Sequence, residues 1–169
     1  MPVAAWMYVN GEVQGDISSG AGDETSIGSL TKKGHEDEIL VWSWEHTVTQ
    51  PTDRASGGSS GTRVHSPVVI TKQFDKASPL LYQALCSGEV LPSVVVSFFR
   101  IEGSAEVKYF SITLENAKVT DIRSWMPNFQ DSAQAHLQQM EDVSFRFTKI
   151  IWENIATSTT SEDDWRAEG

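Results

Sequence analysis

Glu38-Ile-Leu-Val-Trp-Ser-Trp-Glu-His-Thr-Val-Thr-Gln50 is the stretch whose reading decides the fold. In an extended chain Trp42, Trp44, His46 and Val48 fall on one face and Ser43, Glu45 and Thr47 on the other. Such period-two alternation predicts a strand with one buried and one wet side, and Pro51 ends it. The same period recurs on both sides. Residues 4–9 predict an opening strand, and residues 63–74 another, with Pro67 demoting part of it to an edge or bulge. Residues 94–101 are almost continuously apolar, which predicts a strand covered on both faces. Further strands are expected at 107–116 and 118–125, the first with Phe110, Ile112 and Leu114 on one face. One long last strand is expected over 139–155, with Val143, Phe145 and Phe147 inward.

Helical signals are confined to one place. Ser78 can cap, Pro79 suits a first helical position, and Gly88 can close the end. Between them Leu81, Ala84 and Leu85 form an apolar stripe of at most about three turns. The remaining segments carry loop chemistry: Gly15, Gly20, Gly22 and Gly28 among Ser, Asp and Thr, then Ser56-Gly-Gly-Ser-Ser-Gly61, then the polar, Pro-interrupted run 126–138. The expected fold is mainly β: a small antiparallel β-barrel or sandwich with one short α-helix packed outside and an extended Gly/Ser-rich loop. One domain is expected over 1–155, followed by a flexible, polar, acidic tail over 156–169. Trp42, Trp44, Trp125 and Trp152 offer more large apolar surface than one small barrel interior needs, and a neighbouring subunit would absorb it.

The chain has 169 residues, 39% of them hydrophobic, and a net charge of −10. Length and hydrophobicity suit a single folded domain. The acidic balance speaks against nucleic acid and anionic membranes, whose binding rests on Lys and Arg, and Lys32-Lys33 is the longest basic cluster. No run approaches the 18 or so apolar residues of a membrane span, and residues 1–10 lack the pattern of a cleaved signal peptide. Cys86 is the only cysteine, so no intrachain disulfide or Cys-rich zinc site is possible.

The candidate chemical groups are few. His35-Glu-Asp-Glu38 resembles a metal or acid–base cluster, but the second His of the zinc-protease spacing is replaced by Ile39. A solvated acidic turn is the plainer reading. His46, on an apolar strand face, reads as a hydrogen-bonded core residue rather than a catalytic one. Cys86, beside Leu85, reads as an inert small hydrophobe, and His65 and His136 stand near loops without a motif. No nucleophile elbow, phosphate loop or Cys-x-x-Cys is present. No catalytic residue, metal or cofactor is expected.

Three segments in register carry a resemblance. Gly34-His-Glu-Asp-Glu-Ile-Leu-Val-Trp-Ser-Trp-Glu-His-Thr-Val-Thr-Gln-Pro51, Gly61-Thr-Arg-Val-His-Ser-Pro67 and Asp75-Lys-Ala-Ser-Pro-Leu-Leu-Tyr-Gln-Ala-Leu-Cys-Ser-Gly88 resemble the Hcp (haemolysin-coregulated protein) family. The start, Tyr8-Val-Asn-Gly-Glu-Val-Gln-Gly15, and the end, Ser161-Glu-Asp-Asp-Trp-Arg166, are similar to longer members, so the likeness spans nearly the whole chain.

The resemblance implies a non-enzymatic inner-tube subunit of the bacterial type VI secretion system. Homohexameric rings would stack into a tube inside a contractile sheath, beneath a VgrG-type spike, and carry effectors in the lumen. The protein would be cytoplasmic before firing, then secreted outside the cell or into target cells without a cleaved signal. The chain stops soon after Trp152, which leaves no space for a fused toxin. The resemblance also implies subunit or inter-ring contacts by the arm: Thr52, Asp53, Arg54, Ser56, Gly57, Gly58, Ser59, Ser60, Gly61 and Arg63. The other readings are a monomeric β-barrel enzyme or small-ligand binder using His46 or the turn at 35–38, and a phage tail-tube homologue.

Overall fold

The computed structural model describes residues 2–165. In chain order its strands are β1 (Ala5–Gly11), β2 (Gly15–Asp16), β3 (Ile39–Val41), β4 (Ser43–Glu45), β5 (Val48–Thr49), β6 (Val64–His65) and β7 (Val68–Gln73). They continue with β8 (Leu91–Glu102), β9 (Ala105–Trp125), β10 (Met140–Arg146), β11 (Lys149–Asn154) and β12 (Thr159–Asp164). Helix α1 (Glu24–Ile27) lies between β2 and β3, and α2 (Ser78–Ser87) follows β7. The fold is mainly β, and every named strand pair is antiparallel. Among the described residues no helix is long and apolar enough to cross a membrane.

The stretch read as one strand between 38 and 50 is three, each with its own partner. β3 pairs with β1, β4 with β7 and β5 with β6. The chain bends at Trp42, whose N–H donates to Thr71 O at 2.8 Å. That bend breaks the alternation. Trp44 packs on the main core, whereas Trp42 joins a second cluster with Trp6, Ile27 and Leu40. The two tryptophans therefore pack against different clusters. Seven residues, 39–45, bond to both ends of the path β1-β8-β9-β10-β7.

The core holds Met7, Val9, Ile39, Ile70, Leu81, Val94, Val96, Leu114, Val143, Phe145 and Ile150, each essentially inaccessible to solvent. Burying each large apolar side chain stabilises the fold by about 1.5–3 kcal/mol. The Gly-rich run 11–34 is not only loop. Its α1 presents Ile27 to Trp6 and Leu40, so the second face of β1 is covered at Trp6, while Tyr8 on that face stays exposed. β8 is covered on both faces as far as Phe99, while Ile101 beyond it is exposed.

Five expectations are corrected. The strands expected at 107–116 and 118–125 are one strand, β9, and the last strand breaks at Phe147–Thr148 into β10 and β11. Thr159–Asp164 pairs along the whole of β11 and is a strand rather than a flexible tail; residues 166–169 lie outside the described part. Cys86 is exposed on α2. Gly88 closes α2 in the left-handed conformation as expected, but Ser78 does not cap it. Its hydroxyl instead joins Lys72, Asp75 and Glu141, whose side chains are at most 1% exposed. Lys72 Nζ reaches Asp75 Oδ1 at 3.0 Å, Ser78 Oγ at 3.0 Å and Glu141 Oε1. Burial pushes the Asp75 carboxyl up, against the pull of Lys72.

Candidate assembly interface

The segment between β5 and β6 projects as an arm whose residues 52–62 are all exposed. Its Ser/Gly composition does not leave it structureless. Thr52 and Ser59 form an antiparallel bridge, and Asp53 N–H donates to Gly58 O at 2.7 Å. Gly57 N–H donates back to Asp53 O at 2.7 Å. The Asp53 carboxylate accepts from Ala55 N–H at 2.9 Å and Ser56 Oγ at 3.0 Å, and these bonds hold its pKa below the ordinary value. Gln50 Nε2 ties the two legs together through Gly61 O. The arm is a self-contained hairpin whose outward groups Arg54, Ser59 and Ser60 face solvent.

At its root the arm is fastened to the β11–β12 hairpin. Arg63 donates from Nε (3.0 Å) and Nη2 (2.8 Å) to the two carboxylate oxygens of Asp163. Nη2 also reaches the Asp164 carbonyl at 3.1 Å. A bidentate fork of this kind fixes direction as well as distance. His65 is buried, and its Nε2 lies 2.6 Å from Asp163 Oδ2. Because the carboxylate can only accept, His65 Nε2 carries the proton. His65 Nδ1 meets His46 Nε2 at 3.2 Å, and the two ring planes lie within 12° of parallel. Phe147, Trp152 and Trp165 enclose the pair. Burial, and then the neighbouring His65, holds His46 below the ordinary histidine value of 6.5. Arg63 and then His65 hold Asp163 below the ordinary aspartate value.

Of the ten arm positions named from the sequence, nine are exposed and Arg63 is turned inward to Asp163. His46 is hydrogen-bonded, as expected of a strand histidine, but in a pair with His65. The turn at 35–38 is not simply solvated. The His35 ring is stacked on Trp6 at 4.5 Å and set edge-on to Phe99, with Nδ1 at 3.0 Å from Glu38 Oε1. Asp37 accepts from Gly20 N–H at 2.9 Å, and Lys32 pairs with Glu106. Among the described residues no three His, Cys, Asp or Glu side chains are placed to hold a metal ion. The sequence does not announce a role at the arm for Asp163, which lies 98 positions from His65 and 100 from Arg63.

A second surface lies beside β3 and β4. An open, largely apolar groove of about 590 Å³ runs between the N-terminal residues Pro2 and Val3, Leu30, Trp42, Trp44 and Phe98. Trp42 and Trp44 are half-buried here, and the Trp42 indole N–H is buried without a partner. These are side chains whose apolar area a single copy leaves partly uncovered.

Comparison with known proteins gives the family. The family described as "Type VI secretion system effector, Hcp" matches residues 8–154. The "Major exported protein" of Pseudomonas aeruginosa strain PAO1 is 44% identical over 168 residues, 99% of this chain and 98% of its own. Among solved structures, a crystal structure of an Hcp protein superposes with a TM-score of 0.93 at 44% identity, covering 98% of this chain and 99% of that one. The secreted protein Hcp3 from Pseudomonas aeruginosa gives 0.82 at 39% identity, over 97% and 99%. The class so defined is a mainly-β component of a bacterial secretion system. Within that class, the chain belongs to the Hcp family of the type VI secretion system.

Proposed function

We propose that this chain is a structural subunit of the type VI secretion tube, acting through self-assembly and not through catalysis. The observation that carries the reading is the arm: a hairpin ordered by its own hydrogen bonds, exposed over residues 52–62, and clamped at its root. Ordering a free loop costs about 1–2 kcal/mol per residue fixed. An arm ordered before contact has met much of that cost in advance. The groove beside Trp42 and Trp44 supplies apolar area for a neighbouring copy, and family membership supplies the context.

On this reading six copies form a ring, rings stack with the arm at subunit or inter-ring contacts, and effectors travel in the lumen. The partners are a VgrG-type spike and a contractile sheath. The protein leaves the cytoplasm by contraction of the sheath. A hexamer of 18.7 kDa subunits has a mass of about 112 kDa. The test is light scattering and electron microscopy of the full chain beside a variant in which residues 52–61 are replaced by a two-residue turn. We expect rings for the full chain, and a folded monomer with an unchanged far-UV spectrum for the variant. A monomeric full chain at micromolar concentration, or rings that persist without the arm, would overturn the reading.

A further inference from the structure

The arm root is built around a pair of histidines whose shared hydrogen bond tolerates only one added proton. Between His46 Nε2 and His65 Nδ1 there is room for a single hydrogen, since one nitrogen must donate and the other accept. In the neutral pair His65 carries its proton on Nε2, toward Asp163, so His46 Nε2 donates to His65 Nδ1. With one proton added to the pair the link survives, because one of the two facing nitrogens still accepts. With two added, both facing nitrogens carry hydrogens, and the bond becomes a repulsion between cations with ring centroids 5.3 Å apart.

The surrounding charges do not rescue it. Arg63 adds a further cation from the arm, and Asp163 is the carboxylate bonded to His65. Asp164, beside it, contributes its backbone carbonyl to Arg63. Further along the hairpin Lys149 is paired with Glu162 at 3.1 Å and lies 4.0 Å from Glu115. Glu45, before His46, is exposed on its strand. Phe147, Trp152 and Trp165 pack the rings without charge. The link is also the place where chain-distant parts meet. His46 enters the arm, His65 leaves it, and Asp163 belongs to the last strand.

We propose that His46, His65 and Asp163 form a proton-operated latch: the C-terminal hairpin sets the arm's pose, and double protonation of the histidine pair releases it. Acidification would then free the arm root without unfolding the sheet. Its consequence for assembly rests on the reading that the arm makes contacts between subunits.

Hydrogen–deuterium exchange of the full chain, corrected for intrinsic rates, tests the latch directly. Between about pH 7.5 and 5, the β5–β6 ladder and the Ser66 amide should lose protection about tenfold or more, since a factor of ten follows from each pKa unit of differential binding. The β8–β9 ladder should not change. His46→Gln keeps a donor to His65 but cannot be charged, so its arm root should stay protected at both pH values. Asp163→Asn should loosen the root already at neutral pH. Equal protection of the wild-type root at both pH values, or the same loss in His46→Gln, overturns the latch.

Light scattering on the same samples separates this from the assembly reading. Loss of root protection with unchanged mass sustains the latch and overturns the arm as the assembly contact. Loss of mass with the root still protected overturns the latch. If His46→Gln does not fold, NMR titration of the wild-type imidazole protons replaces it. Two separate steps, the lower coinciding with loss of root protection, support the latch, and a single joint step overturns it.

Discussion

Lys72 and Glu141 stand directly opposite each other on β7 and β10, and their side chains meet in the interior at 0% and 1% exposure. The pair joins two strands and, through Ser78 Oγ, anchors the first turn of α2 to both. With Asp75 the cluster holds two carboxylates and one ammonium. Its geometry, not only its presence, decides how the protein responds to substitution.

Lys72→Ala is expected to cost about 3–5 kcal/mol, because it strands two buried carboxylates without their cation. Urea denaturation followed by tryptophan fluorescence reads this as a lower midpoint. A loss below about 1 kcal/mol would mean that water replaces the ammonium without penalty.

Asp75 sets a pH dependence of opposite sign to that of a surface carboxylate. Its folded pKa lies above the ordinary 3.8, chiefly through burial. Between that value and the raised one the folded chain holds more protons than the unfolded chain, so stability falls as pH rises through this window. Asp75→Asn removes the effect. The variant's melting temperature, relative to wild type, should climb from acid toward neutral pH, and parallel curves would refute the assignment.

Gly22 has a backbone reason to be glycine. A Cβ there would come within 2.1 Å of His35 O and 2.7 Å of Glu38 O, both backbone atoms. Gly22→Ala should cost about 1–3 kcal/mol through forced displacement of the 35–38 turn. In Gly58→Ala the new Cβ meets only Ser56 Oγ, at 3.4 Å. That variant should melt within a degree or so of wild type, since exposed sites usually stay within about 0.5 kcal/mol.

These features differ in how far the sequence announces them. α2 is legible because its terminal signals are local: Pro79 and the left-handed Gly88 act within one turn. The mainly-β character is legible because alternation survives in β7 and because β8 is a continuous apolar run. The division of 38–50 is not, because the bend at Trp42 follows from which strands arrive on either side. The arm could be located from its Ser and Gly residues, whereas its clamp could not. Arg63 meets Asp163 across 100 positions, and the acidic run 162–164 looks solvated until β12 is paired with β11. The same holds for Lys72 and Glu141, whose polarity gives no hint of complete burial.

The seven residues 39–45 satisfy backbone groups at both ends of the main path. The strand ends that another chain could extend are therefore few among the described residues. β2 is only two residues long, and β12 ends in Glu162, Asp163 and Asp164, a charged margin of the kind that discourages strand addition. These features guard the chain against cross-β aggregation. On the proposed reading, copies associate through side chains and the arm, in a register that those surfaces dictate.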